Sequence, residues 1–147
     1  MAASCRFAFA VHILAVLALH RDSGVTSDLL ARSVNTNAVV IRRLLADLRR
    51  AGLVSTHKGA GGGAWITRAP EEIPLDVVYR AIQGGPSFSM HPQQPNQRCP
   101  VGRKIEEVLD DVFASAQSAL EHALAGRSLA DVLEDVAAEE QRPGQVA

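Results

Sequence analysis

Between Ala38 and Ala51 the side chains fall into two sets that only a helix keeps apart. At 100° per residue, Val40, Ile41, Leu44, Leu45 and Leu48 gather on one side, while Val39, Arg42, Arg43, Ala46, Arg49 and Arg50 gather on the other. The first side belongs in a core. The second carries four arginines, and the segment holds a single acid, Asp47. A solvated surface helix ordinarily interleaves acids and bases three and four residues apart, and that interleaving is missing. Guanidinium forks match phosphate oxygens and the O6/N7 edge of guanine, so the segment reads as a helix for a DNA major groove. What precedes it agrees. Thr26 or Ser27 can cap a short helix through Arg32, because a side-chain oxygen there accepts from an orphaned backbone N–H. Ser33 to Asn37 (SVNTN) forms a turn, Asn37 is the expected N-cap of the basic helix, and Gly52 its left-handed stop. Helix, tight turn and basic helix make a helix-turn-helix.

Two short strands follow, Leu53–His57 and Ala64–Thr67, joined by Lys58-Gly59-Ala60-Gly61-Gly62-Gly63. Nucleotide-binding loops place their lysine after the glycines and open a helix; here Lys58 precedes the glycines and a strand follows. The hairpin is a candidate wing. Its backbone at Gly61 and Gly62 can lie close to a DNA strand, with Lys58 and His57 meeting phosphate or the minor groove. The residues expected to face DNA are therefore Asn37, Val39, Arg42, Arg43, Arg49, Arg50, His57, Lys58, Gly61 and Gly62.

Charge over the whole chain is nearly balanced, at −1, and only its distribution informs. From Thr36 to Pro70 six bases face one acid, a net +5, whereas from Lys104 to Ala147 ten acids face three bases, a net −7. Only the first stretch attracts a polyanion. The 147 residues suffice for one compact unit with a real core. Phe7 to Leu19 contains His12, is followed by His20, Arg21 and Asp22 with no small-residue cleavage site, and at thirteen residues is short of the roughly 20 that span a bilayer. It reads as a buried first helix. Cys5 and Cys99 are too few for a secreted disulfide framework, which points to a reducing cytoplasm.

After the wing, Pro74 to Gln83 forms a further helix. Pro100 suits a first helical turn, and from there Ile105, Val108, Leu109, Val112, Ala116, Ala119, Leu120 and Ala123 recur at spacings of three and four. That apolar stripe, rich in Ala and Ser in its latter half, lets another helix approach closely, and packing within one chain also accounts for it. Ser128 caps a last helix, Leu129 to Val136. The expected organisation is mainly α with a small β-hairpin wing: a winged helix-turn-helix region over 1–83 (helix-turn-helix 26–51, wing 52–68), a loop over 84–99, dimerisation helices over 100–137 and a flexible tail over 138–147.

The stretches VNTNAVVIRRLLADLRRAGLVST and KGAGGGAWIT, with HPQQPNQRCPVG after them, resemble the Rrf2 family of bacterial winged-helix regulators, which includes iron–sulfur cluster, nitric-oxide and cysteine-metabolism regulators. The resemblance runs from the first helix to about Asp135, and its last stretch is most similar to a small cluster-free branch. It implies a homodimer whose long helix pairs with its mate and whose recognition helices enter successive major grooves of double-stranded DNA. The chain departs from the family in one respect. Cluster-binding members carry three cysteines before the long helix, and here that loop has only Cys99. No cofactor and no metal are therefore expected, since His91 and Cys99 are too few for a closed zinc site within one chain; counting leaves open a cluster shared across a dimer. Cluster-free members that use thiols as oxidant sensors imply such a role for Cys99, with Cys5 as a partner. Placed by Pro100 at the opening of the long helix and beside Arg98 and Arg103, its sulfur is expected in surroundings that favour the reactive thiolate. An enzyme using Cys99 and His91 lacks a third orienting group. The expected function is a sequence-specific repressor on a palindromic operator; the alternative is a dimeric effector-binding or scaffold protein of this fold that no longer binds DNA.

Overall fold

The computed structural model describes residues 5–83 and 85–144. Their elements, in chain order, are α1 (Arg6–Leu19), α2 (Ser27–Val34), α3 (Ala38–Arg50), β1 (Val54–His57), β2 (Gly63–Ile66), a 3-10 turn at Pro70–Glu72, α4 (Leu75–Ile82), α5 (Ile105–Ala125) and α6 (Leu129–Glu140). The fold is mainly helical with one antiparallel hairpin, and none of these helices is long and apolar enough to cross a membrane.

Local chemistry sets the helix ends. Thr26 Oγ1 accepts from the Leu29 amide at 3.3 Å, and Asn37 Oδ1 accepts from the Val39 amide at 2.8 Å. Helix α2 runs two residues past its expected end, because Val34 packs against the core and Asn35, in the left-handed region at φ 59°, makes the turn. Gly52, at φ 74°, reverses the chain after α3. Ile13, Leu14 and Leu17 of α1, Leu30 of α2, and Ile41, Leu44 and Leu48 of α3 are fully buried together with Leu53, Ile73, Val78 and Leu129. Each such side chain contributes about 1.5–3 kcal/mol by leaving water, so the apolar side of α3 fixes which way its arginines point.

The hairpin is stitched to the rest of the fold by a contact the sequence does not advertise. Val25, in the connection from α1 to α2, exchanges two backbone hydrogen bonds with Ala64, at 3.1 and 2.9 Å. At the preceding Gly24, a Cβ would come within 2.4 Å of the Trp65 ring, so only glycine lets that indole lie across the connection.

The C-terminal half departs from expectation at two boundaries. Helix α5 begins at Ile105 rather than at Pro100. Asn96 delays it: its Oδ1 accepts from the Arg98 amide at 2.9 Å and its carbonyl from the Cys99 amide at 3.1 Å, holding the segment in turns until Val101 accepts from Ile105 at 2.8 Å. Helix α6 runs to Glu140, four residues beyond Val136, so residues 138–140 are helical rather than tail. Ser128 and Asp131 form a reciprocal capping box at its start, and Ala137, Ala138, Glu139 and Glu140 are good helix formers. Residues 145–147 of the expected tail lie outside the described residues.

No side chain of α5 is fully buried, and Ile105, Leu109, Phe113 and Leu124 are half-buried. It rests on α4 through Arg80, which meets Glu121 at 3.3 Å, and on the preceding loop through a stacked Phe88–Phe113 pair with ring centroids 5.2 Å apart. The Gln117 amide, with Arg80 beside it, holds the Glu121 carboxyl below the usual carboxylate range. Val108 and Val112 remain 57% and 53% exposed.

Candidate nucleic-acid interface

The hairpin lies beside α3, and between them runs a groove of about 420 Å³ lined by Ser27, Arg42, Ala46, Arg49, Thr56, His57 and Lys58, with no carboxylate on its walls. Arg49 reaches across to Thr56 Oγ1 at 3.4 Å, which ties helix to hairpin. Arg42 faces Asp28 at 3.7 Å, both largely exposed; such a pair is worth about 0–1 kcal/mol and yields easily to a phosphate. The groove thus assembles four of the residues expected to face DNA: Arg42, Arg49, His57 and Lys58.

The other expected residues sit elsewhere. Val39 and Arg43 lie on the strip of α3 that points away from the core, beside the groove rather than in it; Val39 is 47% exposed. Arg50 shares that strip at the far end of the helix, but is ion-paired with Asp47, which also takes Arg6 of α1 at 2.5 Å. The single acid of the helix therefore pairs with two cations, one of them on α3 itself. The side-chain carbonyl of Asn37 is spent on the helix cap. Gly61, at φ 71°, has open space around it at the hairpin tip, whereas a Cβ on Gly62 would meet the His57 and Gly59 carbonyls at 2.5 and 2.8 Å, so Gly62 closes the turn. Sequence reading missed Arg6, Asp28 and Thr56. The contacts of Arg6 and Thr56 span 41 and 7 residues, across elements whose packing no local pattern reveals.

Cys99 lies in the turns six residues before α5 rather than at its first turn, so the helix-end placement fails. Cys99 and Cys5 are both free thiols at the surface. Cys5 precedes α1, and its carbonyl accepts from the Phe9 amide at 3.0 Å.

A helix-turn-helix with a hairpin anchored against its second helix, and a basic groove between the two, defines a winged helix-turn-helix protein. The chain belongs to the Rrf2 family, whose profile, described as an iron-dependent transcriptional regulator, matches residues 3–135. YwnA of Bacillus subtilis (strain 168), a candidate HTH-type transcriptional regulator, is 41% identical over 123 residues, 83% of this chain and 90% of YwnA. A candidate transcriptional regulator from Lactobacillus plantarum, known from its crystal structure, superposes with a TM-score of 0.78 at 30% identity, over 90% of this chain and 89% of that one. T. potens IscR shares the fold, with a TM-score of 0.72 at 24% identity over 98% of this chain and 94% of its own. The family, YwnA and the Lactobacillus plantarum protein are all described as transcriptional regulators rather than enzymes. The iron in the family's description does not fit the donors here. Among the described residues no three His, Cys, Asp or Glu side chains come together as a metal site, and the loop before α5 offers one thiol.

Proposed function

We propose that the chain represses transcription as a homodimer bound to a palindromic operator, with α3 in the major groove and the hairpin along the backbone. The observation that carries this reading is the groove shared by α3 and the hairpin, walled by cations and free of carboxylates. The exposed stripe of α5, including Val108, Val112, Ala119 and Ala123, supports dimerisation. Two symmetric heads call for two inverted half-sites about one helical turn apart. Arg43 and Val39, near the N-terminal end of α3, are assigned to base edges, and Arg49 and Lys58 to phosphates.

Footprinting on the upstream region of the protein's own gene should show two protected half-sites, with affinity falling steeply as salt rises. Trp65 supplies a parallel signal. It lies edge-to-face on His57, centroids 5.2 Å apart, and His57 lines the groove, so tryptophan emission should respond to operator and not to a scrambled duplex. A single undivided half-site, or affinity flat with salt, would refute the reading. Equal failure on all duplexes would leave the fold serving a partner other than DNA.

A thiol signal forms the second part of the proposal. Cys99 is exposed in the loop that leads into α5, where a bulky oxidation product would act on the start of the dimer helix. Mild peroxide should lower operator affinity in the wild type and leave Cys99→Ser unchanged. Equal affinities in all four samples would remove Cys99 from the regulatory account.

A further inference from the structure

The arginines on α3 are held in different ways. Arg42 and Arg49 face the hairpin groove. Arg50 lies on the strip with Val39 and Arg43, three turns along from Val39, yet its guanidinium is folded onto one oxygen of Asp47 while Arg6 occupies the other at 2.5 Å. The exposures are lopsided: 16% for the Asp47 side chain, 44% for Arg6 and 73% for Arg50. Asp47 is the least exposed of the three and Arg50 the most, so Arg50 is the partner that moves into solvent at the least cost. No other acid lies on α3.

We propose that Asp47 is a specificity-determining residue, which competes with phosphate for Arg50 so that Arg50 joins the DNA contacts on the operator and not on unrelated duplex. The inference rests on the reading of α3 as the DNA-facing helix. Non-specific binding is driven almost wholly by phosphate charge, and in a loose complex phosphates sit behind solvent and salt with a screening length of about 8 Å. A carboxylate already in contact wins that competition. On the operator, base contacts fix the register, a phosphate is brought to hydrogen-bonding distance, and a charge-assisted bond to it can displace an exposed ion pair. Asp47 also subtracts one charge from the basic surface, which weakens attraction to any duplex.

The test measures the 147-residue chain on its operator and on an unrelated duplex of equal length across a salt series. Asp47→Asn should raise affinity for the unrelated duplex about fivefold at 0.15 M salt for each phosphate gained, and steepen the log–log salt slope by about 0.9. Operator affinity should change far less, so the specificity ratio falls. Arg50→Ala added to Asp47→Asn should cancel the gain. Arg50→Ala alone should weaken the operator complex and spare the unrelated one, and Asp47→Glu, which keeps a competing carboxylate, should retain the wild-type ratio. If Asp47→Asn melts early, Arg50→Ala and Asp47→Glu still decide. An unchanged ratio in a folded Asp47→Asn protein, or an Arg50→Ala protein weakened equally on both duplexes, overturns the proposal. A wild type that binds neither duplex overturns the DNA-binding reading, and this inference with it.

Discussion

Val112→Asp is expected to convert the proposed homodimer into a folded monomer and to weaken operator binding about 10²- to 10⁴-fold, the range over which linking two binding modules raises affinity. Val112 is 53% exposed on a helix with no fully buried side chain, so the substitution leaves the core of the single chain intact. In a dimer seam the same change buries a carboxylate without a partner, against a mate carrying the identical charge. Sedimentation and circular dichroism read the two effects separately, as halved mass and unchanged helix content, and the residual DNA affinity should be that of a single half-site. Val112→Ile, which keeps the apolar face, should leave mass and affinity alone. A Val112→Asp protein that remains dimeric would place the seam on another face.

Helix α3 is legible in the sequence because its information is local. A thirteen-residue amphipathic pattern, a capping Asn37 and a stopping Gly52 decide the extent and orientation of α3 within one stretch of chain. The hairpin was legible for the same reason, since Gly59, Gly61 and Gly63 adopt backbone angles, φ 93°, 71° and 151°, that other residues resist. Contacts between distant segments were not. Nothing local marks Val25 as the backbone partner of Ala64, or Arg6 as the partner of Asp47. The start of α5 was misplaced because Pro100 is tolerated in a first turn as readily as in the Asn96-anchored turns that it occupies. Where the hairpin falls divides the arginines into a groove pair, Arg42 and Arg49, and a strip pair, Arg43 and Arg50. A helical wheel separates the two pairs but does not say which of them the hairpin flanks.

That division gives the second large effect. Arg43 points outward from the N-terminal half of α3 and makes no ion pair with any described residue, so its guanidinium is available to a base edge without first being released. Arg43→Ala should cost about 1–3 kcal/mol per half-site, and in a symmetric dimer the loss is incurred twice. The loss should concentrate on the preferred sequence: operators altered at the base pair that Arg43 reads should bind the variant and the wild type equally well. Lys58 stands at the hairpin end of the groove, exposed and also without an ion pair. Lys58→Ala should weaken all sequences by a similar factor and reduce the salt slope by about 1 per half-site. The two variants therefore separate on a plot of operator affinity against unrelated-duplex affinity. Arg43→Ala moves along the operator axis, and Lys58→Ala moves along the diagonal. If both moved along the diagonal, Arg43 would be another phosphate contact and base reading would pass to Arg42, whose exposed pair with Asp28 at 3.7 Å can be given up at little cost.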